Sequence, residues 1–340
     1  MPRAAVTSGP HHLELVECDE AIPGTGEAVV AVEAVGLCGT DLHLFDGSLE
    51  GGGYPMVQGH EFCGQVVRCS GDTAQGLDVG ERVVIDPVIS CGGCFPCRNG
   101  ASNACVRMEA LGVHRPGGLQ EEVVVPVDRL HLVGDLDPTV AALTEPLSIA
   151  LHAVERAGIR AGQQVLVLGA GPIGLGCVLA AIRCGAEVMA VDLHPSRLAL
   201  ARSLGAEESV VANDELRHTV QEWTEGDGPA VAIEATGVAA VAHDAFHLVA
   251  ASGTVALVGV SHQQVSIDLR LFTRKELNVV GTRATRDFPG AVDLVRTNAS
   301  LLSSLVSHRF PLDRVREAFE LAMTEPGSTV KVMVTVGTRG

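Results

Sequence analysis

The sequence predicts an α/β protein in which a β-rich region precedes a doubly wound parallel sheet. Three observations carry this. Over residues 1–150, short apolar runs are punctuated by Gly- and Pro-rich turns, the mark of strands with few helices. From about residue 163, apolar strand runs alternate with helical segments, the pattern of parallel strands joined by crossovers. The composition agrees: 46% hydrophobic residues, 39 Gly in 340 and only 3% aromatics favour buried Val- and Ala-rich strands and tight turns. The length accommodates about two domains.

In chain order, residues 28–35, 64–68 and 82–85 read as strands of the first region. Residues 165–168 open the second as a continuous apolar run, followed by a Gly turn and a helix over 174–184. A strand over 187–191 and a helix over 196–204 repeat the unit, and strands at 209–211, 231–234, 254–258 and 279–281 continue it. Beyond residue 285 the pattern predicts a helix over 290–297, a strand over 306–310, a helix ending at Ala322 and a last strand over 331–335. There is no fixed-period repeat and no low-complexity tract.

With 41 acidic and 24 basic side chains the formal net charge is −17. Phosphate backbones and anionic membrane surfaces repel such a chain, so neither nucleic acid nor membrane is expected as a partner. Met1-Pro2-Arg3 is not followed by an apolar signal region, and a cytoplasmic protein is expected. Residues 165–182 form an uncharged stretch of 18, near the lower length of a membrane span. Gly169, Gly171, Gly174 and Gly176 make it a strand, a turn and a helix instead. Ten cysteines without a signal peptide point to metal binding rather than a disulfide framework.

Gly169-Ala170-Gly171-Pro172-Ile173-Gly174 is a G-x-G-x-x-G turn placed between a strand and a helix, the context that gives the pattern meaning. The first Gly permits the turn, the second lets backbone approach a pyrophosphate, and the third allows close helix–strand packing. Asp192 ends the next strand, 23 positions after Gly169. A carboxylate there accepts hydrogen bonds from ribose hydroxyls and repels a 2′-phosphate, favouring NAD over NADP. The bland alternative is a plain turn with a capping Asp. Arg197 lies along the adenosine or is a solvated helix charge.

Cys91, Cys94, Cys97 and Cys105 form C-x2-C-x2-C-x7-C. Four thiolates on one loop match a closed tetrahedral zinc site, and Gly92, Gly93 and Pro96 allow the sharp folding between them. An iron–sulfur cluster is the alternative. With no open position, such a zinc is structural. A second constellation is dispersed: Cys38-Gly39-Thr40-Asp41-Leu42-His43, Gly59-His60-Glu61 and Thr144-Glu145-Pro146-Leu147. Together they supply thiolate, imidazole and carboxylate, the donors of an open zinc site.

These motifs, in this order along the whole chain, resemble the zinc-dependent medium-chain dehydrogenase/reductase family. Glu145-Pro146-Leu147 is similar to the sorbitol, threonine and sugar-acid dehydrogenase branch, where other alcohol dehydrogenases carry a cysteine ligand. Residues Gly112 to Gly118 and Gly281 to Arg286 resemble the hexonate 5-dehydrogenases within it. The resemblance implies a GroES-like catalytic domain over 1–150 with a structural zinc loop at 91–105. It implies an inserted Rossmann NAD-binding domain over 151–284 and a return to the catalytic domain over 285–340.

The resemblance also assigns roles. Cys38 and His60 would be catalytic zinc ligands, and Glu145 the third ligand or the holder of the zinc water. Glu61 matches a second carboxylate that binds zinc in some family states and stands behind it in others. Thr40 matches the hydroxyl that passes the alcohol proton, His43 the outer end of that relay, and Asp41 would orient the His60 imidazole. Thr236, Val258 and Val260 would line the nicotinamide side. Arg283 matches an arginine near cofactor and substrate. Arg283 and Arg286 lie where the Rossmann domain hands back to the catalytic domain, and either binds cofactor phosphate or forks onto a sugar-acid carboxylate.

The function implied is oxidation of a secondary alcohol of a polyol or sugar acid to a ketone, with hydride passing to NAD and zinc acting as Lewis acid. Sorbitol- or L-threonine-type activity is the alternative within the branch. Two zinc ions per chain, one NAD site and a homodimer or homotetramer are expected. A zinc-free quinone or alkene reductase would not need Cys38, His60 and Glu145 together, and a non-catalytic NAD-binding protein is the remaining class. The other cysteines (Cys18, Cys63, Cys69, Cys177 and Cys184) read as small packing residues.

Overall fold

From the N-terminus, β1 (Arg3–Gly9), β2 (His12–Glu17), β3 (Glu27–Gly36), helix α1 (Gly39–Asp46), β4 (Met56–Val57), β5 (Glu61–Cys69) and β6 (Arg82–Ile85) follow one another. A small lobe of β7 (Val88–Ile89), α2 (Phe95–Arg98) and β8 (Glu109–Ala110) comes next. β9 (Glu122–Pro126), β10 (Leu130–Leu132) and α3 (Pro138–Ala141) complete this stretch. The structure, a computed structural model, describes residues 1–49, 52–70 and 77–337. The sequence did not announce α1. Two residues separate it from β3, and Asp41 in its first turn accepts a hydrogen bond from the Cys38 N–H at 2.9 Å, satisfying a donor that the helix start leaves open.

After α4 (Thr144–Ala157), strand and helix alternate: β11 (Gln164–Leu168), α5 (Pro172–Arg183), β12 (Glu187–Asp192), α6 (Pro195–Ser203), β13 (Glu208–Val211) and α7 (Leu216–Trp223). β14 (Val231–Glu234), α8 (Ala239–Leu248), β15 (Thr254–Leu257), α9 (Arg270–Lys275) and β16 (Asn278–Gly281) continue the series. The six strands pair in parallel in the order β13-β12-β11-β14-β15-β16. Helices on both faces demand strands buried on both faces, and β11, β12 and β14 are indeed buried along nearly their whole length. Leu166, Leu168, Met189, Val191 and Val255 form the centre of this core. The strand order reverses between β11 and β14, which is where such sheets bind their ligands.

The C-terminal stretch, α10 (Phe288–Leu302), β17 (Val306–Pro311), α11 (Val315–Thr324) and β18 (Lys331–Thr335), returns to the first region. There the larger sheet runs β10-β6-β5-β3-β18-β17. Residues 27–31 of β3 pair with β9 and residues 34–36 with β18, while β5 takes the other edge. Phe45 of α1 packs on Phe319 of α11, ring centroids 5.0 Å apart, inside a core shared with Phe62 and Val334. The chain therefore divides into Met1–Glu145 with Arg286–Gly340 as one unit, and Pro146–Thr285 as the other. Among the described residues, no helix is long and apolar enough to cross a membrane.

Candidate active site

The end of β3 and the start of α1 place Cys38 at the helix N-terminus, with Asp41 one turn inside. The Asp41 carboxylate, 1% exposed, accepts from the Cys38 N–H at 2.9 Å and from the Gly59 N–H at 3.1 Å. It thereby joins the two segments that carry Cys38 and His60. Gln58 reinforces the joint: its side-chain amide donates to the Asp41 carbonyl at 2.7 Å and accepts from the Thr7 hydroxyl at 2.6 Å. His60 Nδ1 lies 3.7 Å from Asp41 Oδ1, and among the described residues it is buried without a hydrogen-bond partner.

Cys38, His60 and Glu61 bring their ligand atoms within 4.8 Å of one another. Glu145, in the first turn of α4, interacts electrostatically with His60, Glu61 and Lys331. Burial pushes the Glu145 carboxyl up to about 7. Burial also opposes a charge on His60, but Asp41 and Cys38 outweigh it and raise the imidazole well above its ordinary value. A half-buried thiolate with a buried imidazole and carboxylate suits zinc, which accepts all three donors in tetrahedral sites. The His60 nitrogen directed at Asp41 matches the carboxylate–histidine pairing found behind zinc ligands.

Lys331, which opens β18, is a component that the sequence reading missed. It is 2% exposed. Its Nζ donates to both Glu61 oxygens, at 2.8 and 2.7 Å, and to the Leu37 carbonyl at 3.1 Å. Its burial works against the charge, and the Glu61 carboxylate more than compensates, raising its pKa. The available signal was a lone cation at the head of an otherwise apolar final strand. Thr40 is half-buried in the first turn of α1, whereas His43 is exposed and its Nδ1 meets the Ser48 hydroxyl at 2.9 Å.

The other cysteine set lies on the β7–α2–β8 lobe. The sulfur atoms of Cys91, Cys94, Cys97 and Cys105 all lie within 4.8 Å of one another. Cys94 Sγ is 3.3 Å from Cys97 Sγ and 3.7 Å from Cys105 Sγ. A tetrahedron with zinc–sulfur bonds of about 2.3 Å has edges of roughly 3.8 Å, so four thiolates here fit the ion. The Arg107 guanidinium hydrogen bond draws the Cys91 thiol down to about 5. Cys63 and Cys177 are buried as expected, while Cys184 is exposed because it follows the last turn of α5.

In the second unit, the turn after β11 opens a cavity of about 450 Å³ lined by Gly169, Gly171, Asp192, Arg197 and Thr236, among others. Gly169 has φ +97°, and a Cβ on Gly174 would come 1.8 Å from the Gly169 carbonyl oxygen. The helix start of α5, with Pro172 and Ile173 in its first turn, thus approaches the strand end as a phosphate-binding turn requires. Asp192 accepts from the Ala170 N–H at 2.7 Å and from the His194 N–H at 2.9 Å. Arg197 is only 18% exposed and lies 3.7 Å from Asp192, so it is not a solvated helix charge. Val258 and Val260 follow β15 outside the cavity wall. Arg283 falls in the second unit and Arg286 in the first, where Arg286 Nε donates to Asn103 Oδ1 at 3.1 Å.

Residues 24–135 match the alcohol dehydrogenase GroES-like domain and residues 172–297 the zinc-binding dehydrogenase family. The chain is 36% identical to a D-altritol 5-dehydrogenase of Agrobacterium fabrum, covering 90% of this chain and 91% of that protein. It is 33% identical to an L-galactonate-5-dehydrogenase of Escherichia coli K12, covering 92% and 93%. Among solved structures, a zinc-binding dehydrogenase of Sinorhizobium meliloti 1021 bound to NADP superposes with a TM-score of 0.92 at 34% identity, covering 98% of this chain and 99% of that one. On this fold, these donor sets and this breadth of likeness, the chain is an alcohol dehydrogenase belonging to the zinc-dependent medium-chain dehydrogenase/reductase family, in its polyol and sugar-acid branch.

Proposed function

We propose that the protein oxidises a secondary alcohol of a sugar acid or polyol to the ketone, with a hexonate oxidised at C5 as the leading substrate. The carbinol hydride reduces NAD+ to NADH, and the hydroxyl proton is released to solvent. The observation that carries this is the convergence of half-buried Cys38 with buried His60 and Glu61, to which Glu145 is coupled electrostatically. Cys38, His60 and Glu145 would hold the catalytic zinc, with Glu61 as its alternative carboxylate. The four lobe cysteines would hold a second, structural zinc. Zinc supplies Lewis acidity that makes an alcohol proton easier to lose. Thr40, both donor and acceptor, takes that proton toward His43, and Asp41 keeps the His60 ring oriented.

NAD is the proposed cofactor in place of NADP, because the Asp192 carboxylate faces the cavity where a 2′-phosphate would bring like charge. The polyol and sugar-acid activities in the relatives' names support the substrate class. A carboxylate partner is proposed among Arg283 and Arg286. The assembly proposed is a homodimer or homotetramer, which light scattering decides.

The test is NADH formation across hexonates, neutral polyols and L-threonine, with and without a zinc chelator. A hexonate is expected to give the highest kcat/KM, and chelation to abolish turnover. Arg283→Ala and Arg286→Ala, assayed separately, should reveal the carboxylate partner as a KM rise for the acid that the matching polyol does not share. A preference for sorbitol or threonine over every hexonate would reject the sugar-acid reading.

A further inference from the structure

We infer that Glu234 is a positioning residue that braces the two loops under the nicotinamide half of the cofactor, an inference that rests on the dinucleotide reading of the cavity. The sheet order puts Asp192, after β12, on one side of the β11 turn and Glu234, at the end of β14, on the other. A dinucleotide crosses the strand ends with its pyrophosphate at the glycine turn and its adenosine ribose at the acid of the neighbouring strand. Its second half therefore runs over the loops that follow β14 and β15.

The Glu234 side chain holds the loop after β14, and that loop packs on the one after β15. This side chain, in a residue only 2% exposed, accepts at Oε1 from the Thr236 N–H at 2.6 Å, the Gly237 N–H at 3.0 Å and the Thr236 hydroxyl. The Glu234 backbone carbonyl accepts from the Val258 N–H at 2.9 Å and the Gly259 N–H at 3.0 Å. The two loops touch backbone to backbone: a Cβ on Gly259 would lie 2.1 Å from the Gly237 nitrogen, and one on Gly237 would lie 2.3 Å from the Val260 carbonyl oxygen. Glu234 itself is not in the cavity wall, whereas Ala235, Thr236 and Val238 are. It acts through them. An apolar side chain at 234 would keep β14 buried but leave three donors unsatisfied, and such donors pull their loop toward new partners.

The experiment compares two ligands on the full-length protein by calorimetric titration: NADH, which spans the cavity, and AMP, which samples only the adenosine side. Glu234→Leu should weaken NADH about tenfold or more, the scale of losing hydrogen bonds to a charged group, and leave AMP within about twofold, as expected for a distant site. Glu234→Gln keeps an acceptor oxygen and should hold NADH within about threefold of wild type. Gly237→Ala forces the loops apart with the carboxylate intact and should reproduce the selective loss. It carries the test should Glu234→Leu fail to fold. Equal weakening of both ligands, or an unchanged NADH constant in folded Glu234→Leu or in Gly237→Ala, overturns the brace while the cavity assignment stands. A wild type that binds neither ligand overturns both.

Discussion

At Asp192 both carboxylate oxygens already accept backbone N–H groups, and Arg197 lies 3.7 Å away. Each oxygen keeps further lone pairs for ribose hydroxyls. Asp192→Ser removes the negative charge and leaves Arg197 to meet a 2′-phosphate. The ratio of kcat/KM for NAD over NADP should fall about 10–100-fold, the range of a charge-assisted hydrogen bond. A wild type that uses both cofactors equally would sink the assignment. Lys331 invites a stability test. Lys331→Met leaves Glu61 as an uncompensated buried charge, which costs about 3–5 kcal/mol. Adding Glu61→Gln removes that charge and should recover most of the loss in denaturant titrations. Full stability of the single variant would show that the pair is solvated in solution. Thr40→Val, nearly isosteric, should slow the chemical step by about 10²-fold if the hydroxyl moves the proton, with NADH affinity unchanged. An undiminished single-turnover rate would mean another exit for the proton.

Elements separate the two proposed metal sites. One set lies within a single loop, from Cys91 to Cys105, and its geometry depends on the short α2 and the turns around it. The other draws on the β3–α1 junction, the start of β5 and the start of α4. Elemental analysis of wild type should find two zinc ions per chain. Cys97→Ser should lose one and lower the melting temperature, since a closed structural site contributes directly to folding. His60→Ala should lose the other and abolish turnover with the melting temperature little changed. Finding one zinc in carefully prepared wild type would remove the two-site proposal.

Over the whole molecule, two cores belong to two units, one around Phe45, Phe62 and Phe319 and the other around Leu166 and Met189. Ligands should stabilise the unit that holds them. NADH at a hundred times its Kd is expected to add about 2.7 kcal/mol to the unit carrying Asp192, while a chelator should lower the unit carrying the cysteines. Scanning calorimetry reads this as two transitions that move separately. A single transition moved by both would show that the units unfold together.

What could be read from residues alone was what short stretches of chain encode. The glycine turn from Gly169 to Gly174, with Asp192 one strand later, is a local strand–turn–helix–strand signal. The cysteines from Cys91 to Cys105 lie on one loop, so their spacing already limits their geometry. Strand and helix periods reflect burial of one face or two, which neighbouring residues reveal. The dispersed pieces Cys38, His60 and Glu145 became meaningful through the family resemblance, and the folded chain brings Cys38 and His60 together through Asp41. The pairing of Lys331 with Glu61 spans 270 positions, so the lone cation heading the last strand carried no local sign of its partner. It exists because β18 is laid against β3, whose Gly36 stands opposite both Glu61 and Met333. A side chain on Gly36 would come 2.3 Å from Glu61 Oε2. Likewise Arg286, read as a candidate for substrate or phosphate, meets Asn103 across 183 positions. Local energies select strands, turns and caps, but which distant charge neutralises a buried carboxylate depends on strand order, and strand order is a property of the assembled sheet.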